Sequence, residues 1–82
     1  MIDARELLTN QFYETTVLDL ALLMADGGEQ EVVKSLEGMG QEVLDQMRLA
    51  FARVFAYAFI LQGREPDPSM VSLGKALFEQ PN

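Results

Sequence analysis

Apolar residues crowd into two stretches of this chain, residues 17–25 and 49–61, and each stretch holds one charge, Asp19 and Arg53. Both repeat at helical spacing and are apolar almost all round, unlike the single stripe of a helix packed on one side. The pattern predicts an all-α chain with helices over about 4–26, 29–62 and 69–79. Asp3 and Glu6 have capping-box spacing and start the first helix near Ala4. Gly27 and Gly28 end it, because glycine takes the left-handed conformation that closes a helix. Leu8, Phe12 and Leu22 fall on one side at about 100° per residue. Asp19 shares the side of Leu8 and Phe12, which makes it a candidate partly buried carboxylate.

The second helix is the main element. Gly38 and Gly40 each weaken a helix by about 1 kcal/mol relative to alanine, yet the apolar phase continues across them. Leu36 shares a face with Val43, Leu44, Met47, Phe51, Val54, Ala58 and Leu61 on one unbroken projection. The expectation is therefore a continuous helix, bent at the glycines. From Leu44 onward that face has 3-4-3-4-3 spacing, the pattern of an antiparallel helical hairpin. Leu8, Phe12 and Leu22 complete the expected hairpin core. A second stripe of Leu49, Ala52, Phe55, Ala56, Phe59 and Ile60 lies opposite. Residues 63–68, GREPDP, read as a linker. Asp67 then serves as N-cap and Pro68 as first residue of a short third helix, which Pro81 ends. About 16 Å of that helix cannot cover about 50 Å of the second. The uncovered stripe is expected to meet a second copy, so that two hairpins form a four-helix-type core. The competing arrangement is a monomeric three-helix bundle with an exposed aromatic patch.

Composition sharpens this expectation. The chain has 82 residues, 49% of them hydrophobic, with a mean hydropathy of +0.05. So small a domain has too much surface to hide that many apolar side chains alone. There is no Cys and no His, which removes disulfides, thiolate nucleophiles, Cys/His zinc sites and the usual general base near neutral pH. The serines and threonines lack a base to activate them, and the carboxylates are too scattered for a metal site. The expectation is a protein that is not an enzyme and takes no cofactor. Neither apolar run reaches the roughly 20 residues of a membrane span. The N-terminal MIDARELLTN has acids and no apolar leader core, so the expected compartment is cytoplasmic.

Thirteen acids oppose six bases, for a net charge of −7, which disfavours direct binding to nucleic acid. Asp26, Glu29, Glu31, Glu37, Glu42 and Asp45 gather the acids around the turn after the first helix. They are either a solvated surface or phosphate mimics for a basic groove. Asp19 and Arg53 are structural charges or anchors for a partner; a simple hairpin places them too far apart to pair within one chain. No family motif stands in these residues. The functional expectation is a small homodimeric inhibitor or adaptor that docks a helix face on a larger protein, with the size and chemistry of proteins that phages and mobile elements direct against host machinery. An acidic nucleic-acid mimic and a structural subunit of a larger assembly are the alternatives.

Overall fold

The computed structural model describes residues 4–80, and every regular element among them is helical. Helix α1 spans Ala4–Ala25, α2 Glu29–Glu37, α3 Gln41–Phe55 and α4 Pro68–Glu79; a wider π-helical turn, Ala56–Ile60, continues α3. The expected cap at Asp3 and stop at Pro81 lie outside the described residues.

α1 closes as its glycines predict. Gly27 has φ +87°, its N–H donates to the Met24 carbonyl at 3.2 Å, and the Gly28 N–H donates to the Leu23 carbonyl at 2.9 Å. This pair of bonds is the Schellman closure. A side chain at Gly27 is strained even in open space, so Gly27→Ala is expected to lower stability by about 1 kcal/mol in urea unfolding. Gly40→Ala, at φ −71° with nothing within 4 Å of the added methyl, should leave the midpoint unchanged or raise it.

The second helix is not continuous. α2 stops at Glu37, and Met39 turns back to bond the Leu36 carbonyl at 3.1 Å. Gly40 is extended, with ψ 164°, and its carbonyl accepts from Leu44 at 2.9 Å to start α3. The shared apolar phase arises because both helices turn a face to the same core, which requires no unbroken axis between them. Two weak helix formers within three residues make this the place to break.

The break changes the topology. Tyr13 shares a cleft with Gln46, Glu14 bonds Arg53, and Ala25 shares a cavity with Phe59. Contacts ascend together, so α3 runs in the same sense as α1, and the expected reversal is divided between two turns. The antiparallel pair is instead α3 with α4. Phe59 and Met70 meet at one end, Gly74 lies under Phe51 in the middle, and Leu77 reaches Arg48 at the other. Four helices of the chain thus surround one core.

That core joins Val17, Leu20, Ala21 and Met24 of α1 to Val32 and Leu36, Leu44, Met47, Ala50 and Phe51, Phe59, and Met70, Leu73 and Leu77 of α4. α4 is a full partner in it: Leu73 and Leu77 have no exposed surface. Its close approach depends on Gly74, where an added Cβ would stand 2.7 Å from the tip of the Phe51 ring. The expected face of α1 is corrected. Leu8, Phe12 and Leu22 point outward, 65–66% exposed, and Asp19 is exposed beside them. α1 is apolar on two opposite sides, so its own periodicity favours neither; α2, α3 and α4 all pack on the Val17–Met24 side. The molecule is a slab of 39 × 33 × 19 Å, about two helix layers thick, and α1 carries its second apolar side on the surface.

Candidate interaction surface

An apolar opening follows α1. Two cavities of about 500 and 590 Å³ adjoin there and share Leu18, Val54 and Ala58. The floor is apolar and made of small residues. Ala21, Ala25 and Ala58 leave room between α1 and the π turn, while Leu18 and Leu22 form one wall. Arg64, Asp67 and Ser69 stand at one end, and Glu14, Arg53 and Tyr57 at the other.

The π turn shapes the second wall. Leu61 donates to the Ala56 carbonyl and Arg64 to the Phe59 carbonyl, both at 2.9 Å and both five residues back. Each i, i+4 step in an α-helix drifts by about 40°, which would carry Phe59 away from Phe51. The wider turn brings it back: Phe59 is buried, its ring 5.2 Å from Phe55, whose ring is 5.7 Å from Phe51. The same turn leaves Tyr57, Ile60 and Leu61 about 70% exposed at its outer side. π turns frequently mark functional sites.

One ion pair crosses the groove. Arg53 Nε donates to Glu14 Oε1 at 2.8 Å, with each side chain a little over one third exposed. The guanidinium's Nη2 is buried and has no partner. Such an orphaned donor is disfavoured unless an acceptor reaches it. Asp19, one residue past Leu18, has no salt-bridge partner among the described residues.

The residues proposed from sequence divide unevenly over this surface. Of the expected hairpin core, Leu36, Leu44, Met47 and Phe51 are buried, and Val54 and Ala58 are half-buried along the groove. Leu8, Phe12, Leu22, Val43 and Leu61 are exposed instead. Leu61 is turned out by the π turn, and Val43 stands in the first turn of α3, next to the break. Of the expected interface stripe, Phe59 belongs to the core and Phe55 and Ala56 are half-buried, because α4 covers this side; Phe78 of α4 meets Phe51 edge-on at 6.2 Å. Leu49, Ala52 and Ile60 remain exposed. Asp26, Glu29, Glu31, Glu37, Glu42 and Asp45 are all exposed. Arg53 pairs with Glu14, a partner that the continuous hairpin placed out of reach.

Sequence reasoning missed Leu18, Ala21 and Ala25 as groove residues, since they sit inside a run apolar on every side. It also missed Arg48. Its Nε donates to the Leu77 carbonyl at 3.0 Å and its Nη2 to the Gln80 carbonyl at 3.1 Å, closing the end of α4 from α3. The signal was present, because α4 has no basic residue in its own last turn.

Among the described residues no group of three or more His, Cys, Asp or Glu could hold a metal ion, and no helix is long and apolar enough to cross a membrane. The chain matches no family model, and neither a curated protein nor a solved structure shows significant similarity to it.

Proposed function

We propose that this chain is a non-enzymatic protein-interaction module, an inhibitor or adaptor that docks an apolar helix surface on another protein. The observation that carries this reading is the second apolar side of α1, continuous through Leu18 and Leu22 with a groove that ends at Tyr57. Apolar patches of this extent on small proteins mark interaction sites. Helix-in-groove recognition uses such surfaces, with anchors three, four and seven residues apart. The lack of His and Cys in the sequence leaves no ready base–nucleophile set for catalysis.

A second reading, an acidic mimic of nucleic acid, is favoured by the exposure of all six carboxylates between Asp26 and Asp45. It is weakened by Arg48, which bonds Asp45 at 3.3 Å, and by Lys34 within the same stretch. Site-specific photo-crosslinking separates the two. A photoreactive residue at Leu61 is expected to yield a discrete adduct with a larger protein that persists in about 0.5 M salt, where exposed charges are screened. Adducts formed from Glu42 alone, and lost in that salt, would replace this reading with the mimic.

A further inference from the structure

We draw no further inference here: the strongest candidate, the apolar groove between α1 and the π turn that continues through Leu18 and Leu22 onto the exposed side of α1, carries nothing beyond the interaction surface already described, because nothing in the structure shows what covers it.

Discussion

Leu73→Ala is expected to lower folding stability by about 3–4 kcal/mol, while Leu61→Ala changes it by less than about 0.5 kcal/mol. Leu73 has no exposed surface and lies at the centre of α4 between α1 and α3; Leu61 is 75% exposed beyond the π turn. Truncating a fully buried leucine loses the transfer free energy of its side chain and leaves a cavity that close-packed neighbours fill only in part. Relaxation at this site is restricted, because Gly74 holds α4 against the Phe51 ring. A chain of this length is stable by about 4–12 kcal/mol in total. The substitution therefore removes a large part of it and lowers the melting temperature by about 15–25 °C. Chemical denaturation of both variants checks the pair. Equal effects would mean that α4 is peripheral and that residue 61 belongs to the core, as an unbroken second helix requires. The consequence reaches the interaction surface, since α4 supplies Ser69 and Met70 to one end of the groove. Loss of α4 packing should loosen that end before it unfolds α1.

Where the two views of the chain diverge, the divergence has a pattern. Helix ends written in backbone chemistry were legible: Gly27 stops α1 through a left-handed turn, and Asp67 followed by Pro68 starts α4. Helix phase was legible where one face only is apolar, as for Leu36 on α2 and Leu44 and Met47 on α3, all buried. It failed on α1. A helix apolar on two sides offers two equally good phases, and tertiary partners far along the chain decide between them. Continuity through Gly38 and Gly40 failed for a related reason: two helices that share a core keep a common phase across a break. The π turn leaves no trace in spacing, because Phe51, Phe55 and Phe59 fit an ordinary helix as well. The groove follows from these three features together, so a reading of each helix alone could name some of its residues, Val54 and Ala58, without showing the opening between them. Charges posed a different difficulty. Asp19 and Arg53 stand out at once as single charges in apolar runs, but their neighbours depend on topology: α3 running with α1 brings Arg53 to Glu14.

Arg48→Ala is expected to lower stability by about 2–3 kcal/mol and to release the last turn of α4. The last carbonyls of any helix lack partners within it, and α4 supplies none of its own, having no basic residue in its final turn. Arg48 reaches across from α3 to donate to Leu77 and Gln80, with its side chain only 14% exposed. A guanidinium there also opposes the negative end of the helix dipole, and its Cζ lies over the Phe78 ring, 6.0 Å from the centroid. Charge-assisted hydrogen bonds contribute about 1.5–3 kcal/mol each, and water entering the vacated space recovers part of that loss. Arg48→Met keeps the apolar stem and removes the guanidinium, so it separates the packing of the stem from the hydrogen bonds and ring contact of the charged group. Arg48→Lys should fall between, because one ammonium cannot hold two carbonyls with the geometry of a fork. Asp45→Ala removes only the exposed pair at 3.3 Å and should lower stability by about 0.3 kcal/mol. Amide hydrogen exchange at Phe78 and Gln80, read beside urea midpoints, distinguishes these steps. If Arg48→Ala shifts the midpoint no more than Asp45→Ala does, the cross-helix closure contributes nothing, and α4 is held by Leu73 and Leu77 alone. If exchange rises at the end of α4 while its first turns stay protected, Arg48 is the residue that fastens the C-terminal end of α4 to α3.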